Sequence, residues 1–320
     1  MRRLCLALTL CLSAFATGAW AQAWPTKTIK VIVPLTAGSA TDVMARIVFD
    51  EVSRQVGQTI VIENRPGAGN SIGMNAVAKA EPDGYTILAN SSTHTVSPAV
   101  RAIMPLNTTE DLSAIIPLGN MPVVILFNSK KNYKQLSDFV AWAKANPGKA
   151  NYSSAGAGNS SHLNGELFRI AAGFEAVHLP FKGAPEAMTE VIAGRSDYYF
   201  SPLVNALPLM KDGQLTALAV SNSSRASALP DLPTITQSGY PNAEYNFWAG
   251  IFLPSKTPAQ IKEKLYAEIA KALKAPAVAE KLKNLGADPM PLTSAQFDAQ
   301  VKKEIETNAK IAKAANIRVN

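Results

Sequence analysis

Apolar and polar positions along the chain fall into two alternating rhythms. Short runs rich in β-branched residues are followed by stretches in which apolar residues recur every three or four positions, as strands alternating with amphipathic helices require. Residues 28–34 (TIKVIVP) form the first run, and Met44, Ile47, Val48, Val52 and Val56 then mark one face of a helix that Gly57 ends. The same pattern predicts strands over residues 59–63, 86–90, 123–127, 151–154, 197–200 and 216–220. A helix over 136–145 stops at Asn146-Pro147-Gly148, and Gly194 and Gly213 close the helices ahead of the next strands. From residue 258 onward only helices are expected, over 258–274, 276–285 and 294–314, each opening with proline or serine. This order predicts an α/β fold built around parallel strands. Residues 245–253 (YNFWAGIFL) read as a strand that returns the chain to the first sheet, and 221–233 as a crossing segment. The first lobe is therefore expected to be discontinuous, residues 22–122 and 229–320, with 123–228 forming the second.

The N-terminus follows a different pattern. Arg2 and Arg3 precede an apolar stretch from Leu4 to Ala16, and Ala19-Trp20-Ala21 has the form of an export-signal cleavage site, so cleavage after Ala21 is expected. The stretch is shorter than the ~20 residues a membrane-spanning helix needs. Both cysteines, Cys5 and Cys11, lie in this segment, so a chain starting at Gln22 carries no thiol, disulfide or Cys-ligated metal. Its 299 residues suffice for two domains of about 150 residues. Removing Arg2 and Arg3 leaves 29 basic against 24 acidic residues. The basic residues interleave with acids in the C-terminal helices (Lys262, Glu263, Lys264, Glu268, Lys271), the mark of solvated helix faces rather than a nucleic-acid surface.

Two loops share one design, a strand running through small residues into a helix: residues 34–42 (PLTAGSATD) and 153–161 (SSAGAGNSS). Free backbone N–H groups and the positive end of a helix dipole favour an anion there, and small side chains let it approach. Helix capping alone, by Ser39 with Asp42 and by Ser160, explains either loop singly; two such loops in separate halves point to a shared cleft. Asn90-Ser91-Ser92-Thr93-His94 brings the Ser91 and Thr93 hydroxyls to another strand's C-terminal end, where open α/β sheets hold ligands. In Val177-His178-Leu179-Pro180-Phe181-Lys182-Gly183, Phe181 either lines the pocket or caps the core.

Enzymatic motifs are incomplete. Gly156-x-Gly158-x-x-Ser161 has serine where a dinucleotide fingerprint needs its third glycine, and neither Ser160 nor Ser161 sits in a G-x-S-x-G elbow. His94, His162 and His178 lack metal-ligand spacing and read as structural. No cofactor, no metal and no catalytic residue is expected.

At these same loops the chain resembles the Bug-type receptors of tripartite tricarboxylate transporters over nearly its whole length. Trp24-Pro25 with residues 29–34, Glu63-Asn64-Arg65-Pro66-Gly67-Ala68-Gly69 and Ala80-Glu81-Pro82-Asp83-Gly84-Tyr85-Thr86 look like that family's N-terminal signature. Later come Ala145-Asn146-Pro147-Gly148, Ser160-Ser161-His162-Leu163, Gly165-Glu166, Lys182-Gly183 and residues 228–234 (ALPDLPT). The resemblance implies a two-lobed periplasmic binding protein of the Venus flytrap kind with crossing strands between its lobes. It implies a small organic carboxylate (a di- or tricarboxylate, an acidic amino acid or an aromatic acid) held in the cleft and delivered to membrane permease subunits. Carried over, the ligand-binding residues are Ala37, Gly38, Ser39 and Thr41, then Ala155, Gly156, Ser160 and Ser161. The family loop has consecutive glycines where this chain has Gly38-Ser39-Ala40, and Asp-Asn is common where Ser201-Pro202 stands, which puts Pro202 in the expected cleft. Tyrosine is common at Phe181. These losses of polar groups suggest a ligand with some apolar body. The alternatives are a periplasmic sensor feeding a signalling receptor and an exported hydrolase or isomerase using His162 or His178. A monomer is expected.

Overall fold

The computed structural model describes residues 24–314 and 316–319. The expected export signal, its cleavage point and both cysteines lie outside the described residues.

Two five-stranded sheets flanked by helices form two lobes. Strands β1 (Ile29–Val33), β2 (Ile60–Asn64), β3 (Thr86–Ser91), β4 (Leu112–Met121) and β10 (Phe247–Pro254) make the first sheet, in the order β2-β1-β3-β10-β4. The second contains β5 (Val123–Asn128), β6 (Ala150–Ser154), β7 (Ala176–Pro180), β8 (Tyr198–Pro202) and β9 (Leu215–Val220), in the order β7-β6-β8-β5-β9.

The sheets are mixed rather than parallel throughout. β1 runs parallel to β2 and β3, and β6 to β7 and β8, but β10 is antiparallel to β3 and β4, and β5 to β8 and β9. A parallel neighbour needs a crossover helix. β5 instead follows β4 after Pro122 alone, entering its sheet from the other lobe, and β10 returns across the same boundary. The periodicity missed β4 because Pro117 and Gly119 interrupt it. In the structure these two face Gly250 and Ala249 across a shift in register, an irregularity that tolerates proline and glycine.

Helix α1 (Ala40–Val56) buries Met44, Val48, Phe49 and Val52 against the first sheet, while Ile47 and Val56 are only partly covered. Its N-cap is Ser39, and Gly57 ends it with φ 66°, a left-handed conformation that costs glycine little. Helices α2 (Ser71–Ala78) and α3 (Thr93–Val100) follow in the same lobe. The second lobe carries α4 (Leu136–Ala145), α5 (Ser160–Ala172), α6 (Ala184–Ile192) and α7 (Leu203–Lys211). The last three, α8 (Ala259–Lys274), α9 (Pro276–Asn284) and α10 (Ser294–Ala314), pack back onto the first lobe, α8 and α9 against α1 and α10 against α3 and β4.

The crossing segments are stitched together. Ser221 N donates to the Val123 carbonyl at 2.7 Å, Tyr245 N to the Ser221 carbonyl at 2.8 Å, and Val123 N to Asn222 Oδ1 at 2.9 Å. These bonds satisfy the backbone groups of the crossing segments where they pass between the two sheets.

Candidate ligand-binding cleft

The strand ends of β1 and β6 feed the N-termini of α1 and α5, and both helix starts face one cavity between the lobes. From the first lobe Leu35, Ser39, Ala40, Thr41, Ser91 and Phe247 line it. Ala155, Asn159, Ser160, Ser161 and Asn164 form one side of the second lobe's wall; Val123, Ala184, Tyr199, Phe200, Pro202 and Asn205 form the other. The space left between the two walls is small, about 30 Å³. Among the described residues no charged side chain lines it.

The two helix starts are equipped differently. In α1 the Ser39 hydroxyl accepts from Asp42 N at 3.4 Å, and the N–H groups of Ala40 and Thr41 have no partner among the described residues. Asp42 is buried yet turned away from the cavity. It accepts from Gly38 N at 2.9 Å, Asn64 Nδ2 at 3.0 Å and Arg46 Nε at 3.1 Å. Burial alone would raise its pKa, but these partners hold the carboxyl below its ordinary range, so it stays ionised and braces the loop.

In α5 the cap is Asn159, and Ser160 is the first helical residue. Asn159 Oδ1 accepts from Ser161 N at 3.0 Å and from the hydroxyls of Ser160 and Ser161 at 3.2 and 3.1 Å. Ser160 N donates to Thr93 Oγ1 of the first lobe at 3.1 Å, and Ala155 N to Ser161 Oγ at 2.9 Å. The second lobe therefore offers hydroxyls and amides, and the first lobe offers bare N–H groups.

Behind the second loop, Ser154 Oγ lies 2.6 Å from His178 Nε2, and the His178 ring stacks on His162 at 3.9 Å. Serine beside histidine is what a hydrolase would need. Here Ser154 is fully buried and also accepts from Gly156 N at 3.2 Å, while Gly158 N donates to His162 Nδ1 at 3.2 Å. Burial, then the neighbouring His162, pushes His178 down to about 3, leaving a weak base. The pair supports the loop that carries Ala155 and Gly156.

Of the residues singled out from the sequence, the fold brings Ser39, Thr41, Ser91, Ala155, Ser160, Ser161 and Pro202 to this cavity. Ala37 and Gly38 sit exposed on its rim, with Gly38 N bonded to Asp42 and its carbonyl accepting from Asn205 Nδ2 at 2.7 Å. Thr93 stands one bond behind, through Ser160. Gly156 and Phe181 face a neighbouring recess of about 510 Å³ that also contains Arg101 and Lys182. Sequence reasoning missed Asn159, Asn164, Tyr199, Phe200, Asn205 and Phe247. Asn164 follows Ser160 by one helical turn, a spacing that puts both on one face; the others come from elements whose approach no local pattern encodes.

The lobes touch directly in this arrangement. Besides Asn205 on Gly38, Thr93 Oγ1 lies 3.2 Å from Ser160 Oγ, and Ser97 Oγ donates to the Gly158 carbonyl at 3.1 Å. This two-lobed arrangement, with helix N-termini meeting in the cleft, coincides with a match to the model of the tripartite tricarboxylate transporter family receptor over residues 44–317. The chain belongs to that receptor family. BugT of Bordetella pertussis is 31% identical over 301 residues, covering 93% of this chain and 92% of BugT. A solved periplasmic transporter superposes with a TM-score of 0.89 at 34% identity, covering 93% of this chain and 100% of that one. MatC from Rhodopseudomonas palustris, solved with bound malate, gives 0.86 at 30% identity, covering 90% and 99%. R. palustris Rpa4515, solved with adipate, gives 0.88 at 29% identity, covering 92% and 99%. The periplasmic binding protein BugD superposes with a TM-score of 0.88 at 29% identity, covering 92% of this chain and 99% of that one.

Proposed function

We propose that this receptor captures a small organic carboxylate between its lobes in the periplasm and delivers it to the membrane permease of a tripartite tricarboxylate-type transporter. The observation that carries the reading is the pair of N–H groups, Ala40 and Thr41, without a partner among the described residues, at the start of a 17-residue helix whose first residues line a cavity free of charged side chains. A carboxylate fits there without a counter-cation, since each charge-assisted bond contributes roughly 1.5 to 3 kcal/mol. The ligands of MatC and the adipate-bound neighbour are both carboxylates, which supports the class. Ser39, Thr41, Ser91, Ala155, Ser160, Ser161 and Pro202 form the contact set, with Ala37, Gly38, Thr93, Gly156 and Phe181 supporting it. The lobes are residues 22–122 with 229–320, and 123–228, exported as a monomer by a signal cleaved after Ala21. Binding without turnover is the reading favoured by the Ser154–His178 pair, since Ser154 is fully buried and neither residue lines the cavity.

The test is thermal-shift screening of residues 22–320 against aliphatic and aromatic carboxylates and matched neutral amides, with recovery of each ligand chemically unchanged. Stabilisation by acids and not by amides is expected; no response to any acid would overturn the reading. Ser160→Ala should weaken binding with the fold retained, as calorimetry beside far-UV circular dichroism would show.

A further inference from the structure

Residues lining the inner cavity carry acceptors as well as donors. Asn205 is oriented by its Nδ2, which donates to the Gly38 carbonyl at 2.7 Å, so its Oδ1 is held as an acceptor. That oxygen is buried, belongs to a residue lining the cavity, and has no partner among the described residues. Asn164, 1% exposed on the wall built by α5, likewise has an unpartnered Oδ1, and Thr41, fully buried, an unpartnered hydroxyl. Buried amide oxygens without a donor carry a desolvation penalty, which a ligand removes by presenting an O–H or N–H group. The wall beside them is apolar, made of Val123, Phe200 and Phe247.

A charged donor is the poorer match. No acidic side chain lines the cavity, and the nearest ionised carboxyl at the α1 start, Asp42, is committed to Arg46, Asn64 and Gly38. An ammonium group placed there would be desolvated without a counter-charge. Resting on the carboxylate-receptor reading above, we propose that the natural ligand is a hydroxy acid: its carboxylate lies on the Ala40 and Thr41 N–H groups, and its hydroxyl donates its one proton to the Oδ1 of either Asn164 or Asn205. The neighbours do not decide this, because malate carries a hydroxyl and adipate does not. The asparagine that takes the proton thereby acts as a specificity determinant.

Calorimetric affinities of three matched triples test it: propionate, lactate and alanine; succinate, malate and aspartate; phenylacetate, mandelate and phenylglycine. The hydroxy member should bind at least tenfold tighter than the deoxy member in the triple that fits, and tighter than the amino member. At least one of Asn164→Leu and Asn205→Leu, the one whose oxygen takes the proton, should lower that ratio to threefold or less. Deoxy acids binding as tightly as hydroxy acids, amino acids binding tightest, or an unchanged ratio in both variants would overturn the proposal while leaving carboxylate capture standing. Failure of all nine compounds to bind would overturn both. Should either variant fail to fold, the wild-type ratios alone decide between the hydroxy acid and its rivals.

Discussion

Gly183→Ala is the sharpest probe of lobe closure. Gly183 caps α6 in the second lobe and sits against Thr36, in the loop after β1 of the first. A Cβ at this position would lie 2.8 Å from Thr36 Cγ2 and 2.9 Å from Thr36 Cβ, and closer still to Oγ1. Ordinary carbon contacts begin near 3.4 Å, so one methyl group forces these surfaces apart by about half an ångström or more. Rotating the Thr36 hydroxyl does not relieve it, because Thr36 Cβ is fixed by the backbone. Overpacking of this kind costs about 1–3 kcal/mol, here charged to the closed form alone. Since a ligand's affinity includes the free energy of closing, Kd should rise roughly 5- to 150-fold. The open form has no reason to suffer: Gly183 has φ −172°, extended backbone that alanine adopts freely. Alanine also restricts the unfolded chain, so the ligand-free Tm should hold or rise slightly. Calorimetry with the acid that most stabilises the wild type, beside a ligand-free thermal melt, checks both. A Kd within twofold of wild type would refute closure through this contact, and a ligand-free melt lowered by several degrees would show that the clash is not confined to the closed state.

Two further outcomes follow from the second helix start and the buried histidines. Asn159→Ala removes the acceptor of three bonds and should cost about 1 kcal/mol, lowering Tm by about 2–4 °C, whereas Asn159→Asp keeps the cap but brings a negative charge to the cavity and should weaken acid binding at least tenfold with Tm retained. His94, fully buried and stacked on Phe252 at 4.1 Å, is pushed by burial down to about 3. The unfolded chain takes up that proton near pH 6.5 and the folded one only near 3, so this contribution is complete above about 6.5 and falls away as the pH drops toward 3. At pH 5 the loss is about 2 kcal/mol. Thermal melts from pH 7 to 4 should show it, and His94→Phe, which keeps the stack, should flatten the slope.

What could be read from the sequence was what local physics controls. The β-branched runs and three-to-four-residue stripes placed most strands and helices, because burial of one face dictates that spacing wherever the element sits. The small-residue loops before α1 and α5 were visible because an anion needs bare N–H groups and no bulk. Which of those N–H groups stay bare was not visible. That depends on partners distant in the chain: Thr93 reaches Ser160 N from the other lobe, while nothing among the described residues reaches Ala40 or Thr41. The antiparallel placement of β5 and β10, the cavity wall of Tyr199, Phe200, Asn205 and Phe247, and the contact of Gly183 with Thr36 were likewise decided only when two lobes folded against each other. Local periodicity encodes which face of an element is buried; it carries no information about which element from the other lobe will cover it.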